Sequence, residues 1–315
     1  MSFLAPPGEV MDWRRVLLTN LADSAGLLDR LPATAAELAA QLNLDPKSIR
    51  INLEALTAWQ VIESTDGNFA AGPEFPTDSD RQLIHQHARV LSRWAAELPD
   101  RMADPIGGKR EPRTSAEIAE WLEALGPRAR HHAPAVIDMC LEAFPSAKTV
   151  LDVAGGHGEY AIEAASRGLD VTMIDLPAVI GSVCEWPRVR KSGINLVGGD
   201  VFETEVTGSF DLVLCFGFTH TQSPERVGTL FRRLAAVTSD GGGIAIKTFI
   251  RGASPATSIF AVQKLVAGNN GDTHTLDRYT QWLVDAGFDE PRLVDRDAPT
   301  LLLANFGDRR PDATC

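Results

Sequence analysis

Cysteine is scarce in this sequence and its few positions are scattered. The 315 residues contain four cysteines and no CxxC pair, and they stand at Cys140, Cys184, Cys215 and Cys315. Such spacing argues against a disulfide scaffold and against a structural zinc site. We therefore expect a reducing compartment, the cytoplasm.

Long hydrophobic runs and an excess of positive charge are also lacking. No stretch of about 18 uncharged apolar residues occurs, and the first residues show no basic segment followed by an apolar core. The net charge of -12 repels polyphosphates and anionic lipids. These absences predict a chain that binds neither membranes nor nucleic acid.

The N-terminal third consists of helical patterns followed by a hairpin signal. Thr34 and Glu37 form a capping-box pattern, and Pro46 stands where a first helical turn begins. Asp66-Gly67 between two short apolar runs predicts a tight hairpin turn. Three helices and a hairpin are typical of a winged-helix domain, which we place with its following helix at residues 1–105.

From Thr149 onward, short strand-like runs alternate with helical patterns. The seven predicted strands are TVLDVA, DVTMID, LVGGD, FDLVLCF, GGIAIKTF, PRLVDR and TLLLANF. Such alternation predicts a mainly parallel sheet with helices on both faces. Residues 106–315 are therefore expected to form linker helices and an α/β domain.

The turn after the first of these strands contains Gly155, Gly156 and Gly158. Glycines there let a ligand approach backbone N–H groups at a helix N-terminus, although a tight turn that needs positive φ also explains them. The spacing differs from that of a dinucleotide-binding turn. Asp152, Asp175 and Asp200 stand near the ends of three successive strands. Carboxylates there suit an amino-purine, a ribose and an ammonium group better than a phosphate-rich ligand.

Several of these segments carry a family resemblance. LDVAGGHGEYAIE, MIDLP, GGDVF, FDLVLCFGFTHTQSPE and LDRYTQWLVDAGF resemble the S-adenosylmethionine-dependent class I O-methyltransferases that act on small molecules. The resemblance is to the bacterial natural-product type and to caffeate and acetylserotonin methyltransferases, and it covers nearly the whole chain. It implies a Rossmann-like C-terminal domain, a homodimer formed through the winged-helix domain, and a small-molecule acceptor.

The resemblance also implies residue roles for S-adenosylmethionine as the cofactor. Asp152 would support the loop or reach the ammonium group, Asp175 would bind the ribose, and Asp200 would take the adenine amino group. Helix capping or solvation is the alternative role for the last two. The full implied cofactor-binding set is Asp152, Gly156, Gly158, Asp175, Leu176, Asp200, Val201 and Phe216.

His220 is the candidate general base. It lies nine residues after Asp211, where this family has its catalytic histidine. A phenol, whose pKa is about 10, benefits from a neutral imidazole, whose pKa is about 6.5, to take its proton. A histidine in a loop that lacked this resemblance would more often be a bystander.

The sequence departs from the family pattern at three places. Thr221 and Gln222 replace the acid and the aromatic residue that usually follow the histidine. The segment GDTHT offers Asp272, or no acid at all, where many relatives have an orienting glutamate. Ala154 replaces the first glycine of the turn. Some members of this fold family use the bound cofactor for decarboxylation, hydroxylation or pericyclic steps, which is the alternative function here.

Five side chains are candidates for the acceptor pocket: Met139, His132, Phe218, Phe260 and Lys264. Apolar residues in helices are more often part of the core than of a pocket. For Lys264, the functional interpretation is contact with an acidic substrate, and the alternative is a lysine whose ammonium group is solvated. No HxxxH motif or acid cluster predicts a metal site.

A small-molecule-sensing regulator is the competing function from another class. Residues 1–75 carry five Lys/Arg against ten Asp/Glu, a balance of -5. That balance opposes contact with DNA phosphates and favours a dimerisation module instead.

Overall fold

The computed structural model describes residues 13–103, 114–253, 255–267, 271–295 and 300–307. The chain divides into two compact units, Met1–Ala96 and Glu97–Cys315. The boundary predicted at residues 105/106 lies outside the described residues, so it stays a prediction.

Up to residue 77, the described part of the first unit contains three α-helices and a small antiparallel sheet. Its helices are α1 (Trp13–Ser24), α2 (Ala35–Leu42) and α3 (Pro46–Ala58), and its strands are β1 (Ala33–Thr34), β2 (Ile62–Thr65) and β3 (Asn68–Ala71). The strand order is β1-β3-β2. Leu38, Leu53 and Leu56 are fully buried in its core.

Local sequence signals place these elements as predicted. The Thr34 side chain accepts a hydrogen bond from the Glu37 backbone N–H, and the Glu37 carboxylate accepts one from the Thr34 backbone N–H, so the capping box is confirmed. Asp66 and Gly67 both have positive φ, as the tight hairpin turn between β2 and β3 requires.

Two long helices come next in the chain, α4 (Asp78–Ala103) and α5 (Ser115–Ala143). A second capping box, between Thr114 and Glu117, begins α5. Among the described residues, no helix combines the length and the apolar character that crossing a membrane requires.

The second unit is built on a seven-stranded sheet, which confirms the predicted fold class. Its strands are β4 (Thr149–Val153), β5 (Asp170–Asp175), β6 (Asn195–Gly198), β7 (Phe210–Phe216), β8 (Thr238–Thr248), β9 (Arg292–Asp295) and β10 (Thr300–Asn305). Their order is β6-β5-β4-β7-β8-β10-β9. The first five in that order run parallel, and β10 is antiparallel to both of its neighbours.

Helices cover both faces of this sheet. The described helices after β4 are α6 (Glu159–Ser166), α7 (Pro177–Val183), α8 (Pro187–Ser192), α9 (Pro224–Ala235), α10 (Pro255–Ala267) and α11 (Leu276–Ala286). Leu230 of α9 and Leu283 of α11 join the core cluster on one face. Ile137 of α5, Ala161 of α6 and Val183 of α7 join the cluster on the other. The sheet is therefore buried on both sides, as parallel sheets are.

Candidate active site

Three predicted acids and His220 lie at, or just beyond, the carboxyl ends of four neighbouring strands. Asp152 lies in β4, Asp175 ends β5, Asp200 follows β6, and His220 follows β7. Because β4 lies between β5 and β7, the chain's connections change direction there, and ligands of open α/β sheets bind at such a point.

The three glycines of the turn after β4 are required for different local reasons. A Cβ on Gly155 would lie 2.6 Å from Asp152 Oδ2 and 2.6 Å from Met173 Sδ, so the chain's own side chains need that glycine. Gly156 and Gly158 have φ of +55° and +72°, where side chains are disfavoured. The turn geometry therefore accounts for all three glycines.

Ala154 takes the left-handed conformation in place of the usual glycine. Its φ is +55°, which costs an alanine about 1–2 kcal/mol. Its N–H still donates to the Ile174 carbonyl at 2.8 Å, so β5 holds the start of the turn despite the substitution.

Asp175 fixes the turn to the end of β5. Its Oδ2 accepts from the Gly156 N–H at 2.9 Å, and its Oδ1 accepts from the Leu176 N–H at 2.7 Å. Burial raises the pKa of this carboxyl, and the two backbone hydrogen bonds work against that increase. Each oxygen has a further acceptor position available to a hydroxyl donor.

Asp152 is a buried acid with an unpartnered oxygen. Its side chain is 2% exposed, and Oδ2 has no hydrogen-bond partner among the described residues. Burial, and next the negative charge of Asp175, raise the pKa of Asp152 to about 7. A buried oxygen without a donor is unfavourable, so a cationic or N–H-bearing ligand would satisfy it.

The remaining predicted cofactor residues surround the same strand ends. Asp200 Oδ1 accepts from the Phe202 N–H at 2.9 Å, which shapes the loop after β6. Val201 is buried and its carbonyl accepts from Arg233 Nε. Leu176 is a large apolar side chain with 52% exposure, beside Asp175, and it offers an apolar surface to a planar ring. Phe216 packs edge-on against Tyr160 with ring centroids 4.8 Å apart.

His220 lies in a 3₁₀ turn, Thr219–Thr221, directly beyond β7. It is 6% exposed, and its Nδ1 has no hydrogen-bond partner among the described residues. Burial, followed by the positive charges of Lys264 and His274, holds the pKa of His220 well below its ordinary value. The imidazole is therefore neutral at physiological pH, which is the form that can accept a proton.

A buried hydroxyl cluster anchors the turn that carries His220. The Thr219 hydroxyl lies 2.7 Å from the Tyr279 hydroxyl and 3.1 Å from Thr248 Oγ1, and Tyr279 and Thr248 are 3.1 Å apart. Thr248 ends β8 and Tyr279 belongs to α11. Two other elements, β8 and α11, therefore position the residue before His220.

The two residues after His220 take part in a hydrogen-bonded chain. Thr221 Oγ1 donates to the Phe218 carbonyl at 2.7 Å, and Gln222 Nε2 donates to Thr221 Oγ1 at 2.8 Å. Gln222 Oε1 accepts from Arg226 Nε at 2.9 Å. These departures from the family pattern thus stabilise the turn through polar contacts of their own.

Arg226 extends this chain to the loop after β6. Its guanidinium lies 3.7 Å from the centroid of the Phe202 ring and 4.0 Å from Asp200 Oδ2. The turn of His220 and the loop of Asp200 are therefore linked by side chains that the sequence analysis did not single out.

The segment GDTHT supplies a second histidine beside the site. Asp272 forms an ion pair with Arg251 and accepts from the Thr273 N–H, so it does not orient His220. His274 is buried and packs edge-on against Trp282 at 5.0 Å. Burial lowers the pKa of His274, so it adds positive charge near His220 only when it is protonated at acidic pH. His274 was not predicted as a site residue, although it lies in the segment GDTHT that the sequence had singled out.

The structure places the five acceptor-pocket candidates differently. Phe260 packs edge-on against His220 with centroids 4.8 Å apart, and Lys264 Nζ lies 4.6 Å from the Phe260 centroid. Phe218 packs against the core and lies 6.2 Å from the Phe202 ring. Met139 packs against the core cluster on the other face, and His132 is exposed on α5.

In the described part of the chain, no three His, Cys, Asp or Glu side chains come close enough together to hold a metal ion.

Known proteins match this chain over most of its length. Residues 150–242 match the methyltransferase domain family. A 3-hydroxy-5-methyl-1-naphthoate 3-O-methyltransferase of Streptomyces sahachiroi is 23% identical over 311 residues, covering 90% of this chain and 88% of that protein.

Solved structures of similar proteins share the fold. Human N-acetylserotonin methyltransferase, in complex with S-adenosylmethionine, superposes with a TM-score of 0.78 at 18% identity and 94% coverage of both chains. The mitomycin 7-O-methyltransferase MmcR gives a TM-score of 0.76 at 18% identity and 93% coverage of both. Residues 150–242 therefore match the methyltransferase domain family, and over nearly its whole length the chain shares the fold of these two solved methyltransferases.

Proposed function

We propose that this protein is an S-adenosylmethionine-dependent O-methyltransferase that acts on a hydroxyl group of a small aromatic or polyketide-like metabolite. The observation that carries this proposal is the buried, neutral imidazole of His220 at the same sheet edge as Asp152 and Asp175. The naphthoate and mitomycin methyltransferases noted above are named for ring compounds, which supports this acceptor class.

The acidic residues of the site fit S-adenosylmethionine. The unpartnered Oδ2 of Asp152 suits an ammonium group, and the carboxylate of Asp175 can accept from ribose hydroxyls while it holds the turn. Asp200 can accept from the adenine amino group, with Leu176, Val201 and Phe216 as apolar neighbours. Gly156 and Gly158 keep the turn free of side chains on that side.

His220 performs the proton transfer in this proposal. The cofactor supplies an electrophilic methyl group on a sulfonium centre, which is already a good leaving group. The neutral imidazole accepts the hydroxyl proton as the acceptor oxygen becomes nucleophilic. The apolar surroundings of Phe249 and Phe260 keep water from competing for that proton.

We also propose that the first unit forms a homodimer interface. Among the described residues, four of its large apolar side chains are markedly exposed: Trp13, Leu21, Leu44 and Ile51. Apolar exposure together with net negative charge suits a second copy of this chain better than DNA.

A cofactor-binding and product assay tests the proposed function. Calorimetry with S-adenosylmethionine should show binding, and incubation with hydroxylated aromatic compounds should give S-adenosylhomocysteine and methyl ether in equal amounts. Cofactor binding without methyl transfer to any compound would instead support the alternative chemistry that Thr221 and Gln222 suggest. Absence of cofactor binding would contradict both, and binding to random-sequence DNA at low salt would support the regulator.

A further inference from the structure

A second histidine, His274, is fixed beside the turn that carries His220. Its backbone pairs with Ile250 in an isolated parallel bridge, and its carbonyl accepts from the Arg251 N–H at 2.9 Å. Its ring centroid lies 6.1 Å from that of Tyr279, whose hydroxyl is hydrogen-bonded to the residue before His220. Contacts on both the backbone and the ring therefore hold this imidazole in place.

One ring nitrogen of His274 contacts the backbone just after the turn of His220. Burial lowers the pKa of His274, and a hydrogen bond with the Gln222 backbone is among the influences that raise it. A hydrogen bond that raises the pKa of a histidine is one in which the ring N–H donates, here to the Gln222 carbonyl. Because Nε2 of His274 has no partner among the described residues, the donor is Nδ1. The neutral ring then has its lone pair on Nε2.

His220 has the complementary atom. Its Nδ1 is buried and lacks a hydrogen-bond partner in the part of the chain that the structure describes, so Nε2 is the nitrogen left for the acceptor hydroxyl. To accept a proton at Nε2, the neutral imidazole must carry its own hydrogen on Nδ1. A buried N–H without an acceptor is unfavourable, and so is a buried lone pair without a donor. After burial and Lys264, His274 is the third cause that lowers the pKa of His220, so the two rings are close enough to interact.

We propose that His274 is a positioning residue for the general base: its Nε2 accepts the Nδ1–H of His220, in direct contact or across one shared water molecule. This inference rests on the proposed function, because it assumes that His220 is the base. The contact fixes the tautomer of His220 with its Nε2 lone pair toward the acceptor hydroxyl. As the methyl group moves from the sulfonium to the acceptor oxygen, the hydroxyl proton goes to His220 Nε2, and His274 stabilises the resulting imidazolium.

Two substitutions of His274 separate the roles of its two nitrogens. His274→Asn keeps a donor near the place of Nδ1 and loses the acceptor at Nε2, whereas His274→Gln keeps an acceptor there. His274→Asn should lower the single-turnover rate of methyl transfer by about 10–100-fold, the effect of one buried hydrogen bond, with unchanged affinity for S-adenosylhomocysteine. His274→Gln should retain most of the wild-type rate. His131→Phe, at an exposed histidine of α5, is the control and should behave like the wild type.

The tautomer of His220 can also be measured without turnover. Long-range proton–nitrogen correlation spectra of isotope-labelled protein distinguish the two neutral forms of imidazole, and His220→Ala assigns the signals. With saturating S-adenosylhomocysteine, the wild type should hold His220 as the Nδ1–H tautomer, and His274→Asn should shift it toward a mixture of both. That shift supports the contact even if no acceptor is methylated, in which case the proposed function alone fails.

Three results would overturn the inference. The first is a wild-type His220 that carries its hydrogen on Nε2. The second is a tautomer or a rate that His274→Asn leaves unchanged. The third is a tautomer that changes only in Thr273→Val, because the Thr273 hydroxyl is also buried and unpartnered among the described residues and would then be the group that His220 contacts.

Discussion

Asp152 makes the stability of this protein depend on pH through one buried carboxyl group. Its pKa is about 7 in the folded chain against an ordinary value of 3.8. Because the folded-state pKa is raised, the stability that the group contributes is complete below pH 3.8 and is lost as the pH rises through 7.

Replacement of Asp152 by asparagine removes this titration and keeps the shape of the side chain. Relative to Asp152→Asn, the wild type should lose about 2 kcal/mol of unfolding free energy between pH 5 and pH 7. Urea unfolding of both proteins at the two pH values measures this. Parallel pH dependence of wild type and variant would show that the carboxyl is ionised in the folded state.

Asp175 should matter to cofactor binding through both of its oxygens. Its loss removes the proposed bonds to the ribose and also frees the Gly156 N–H. Asp175→Ala should therefore weaken S-adenosylmethionine binding by about 1–3 kcal/mol. Calorimetry measures this, with Asp170→Ala at the exposed start of the same strand as the control. Unchanged affinity in a folded Asp175→Ala variant would refute the assignment.

At the residue scale, the ordered motifs predicted where the acids and His220 lie. Because the carboxyl ends of parallel strands meet at one edge of a sheet, the order of the motifs along the chain was enough to predict the edge at which these residues lie. The contacts of Arg226 and His274 could not be predicted. The backbone of His274 pairs with that of Ile250 in an isolated β-bridge, which brings His274 to the site. This pairing forms only when the loop folds.

At the scale of elements, β8, α11 and the 3₁₀ turn are joined through the Tyr279 hydroxyl. Tyr279→Phe keeps the aromatic ring in the core and leaves the Thr219 and Thr248 hydroxyls hydrogen-bonded to each other. We expect a loss of about 1–2 kcal/mol in unfolding free energy, because two buried hydrogen bonds disappear. Thermal or urea unfolding measures it. Tyr160→Phe, whose hydroxyl lies outside this cluster, should lose less, and equal losses would argue against the cluster's role.

The strands were predictable because apolar runs alternated with helical patterns. The start of β8 was predicted wrongly, at Gly242, whereas the strand begins at Thr238. The segment TSDGG has the composition of a turn, yet Thr238 pairs with Phe210 of β7, and the register shifts between Phe210 and Leu212. Pairing with a neighbouring strand overrode the local preference there.

At the scale of the whole molecule, the proposed homodimer is open to direct measurement. Analytical ultracentrifugation should give twice the mass of one chain, and Leu21→Glu or Ile51→Glu should shift it toward the monomer. Each substitution places a charge on an exposed apolar position of the first unit. Val284→Glu, an exposed apolar position of α11, serves as the control. A monomeric wild type would contradict the proposal.

The two-unit organisation and the sheet could be predicted because composition and periodicity differ along the chain. The acceptor pocket stays a prediction, because its candidate side chains come from separated elements. Phe260 packs against His220, and Lys264 lies over the Phe260 ring. Met139 packs against the core cluster on the other face of the sheet, and His132 is exposed.

The rate of methyl transfer by His220→Ala tests the central claim most directly. With S-adenosylmethionine binding unchanged by calorimetry, single-turnover transfer to an accepted phenol should fall by about 10²–10⁴-fold. The wild-type rate should fall only well below pH 6.5, because the pKa of His220 is lowered, and raised pH should partly rescue the variant by ionising the phenol. A His220→Ala variant that binds the cofactor and transfers methyl groups at the wild-type rate would contradict the account.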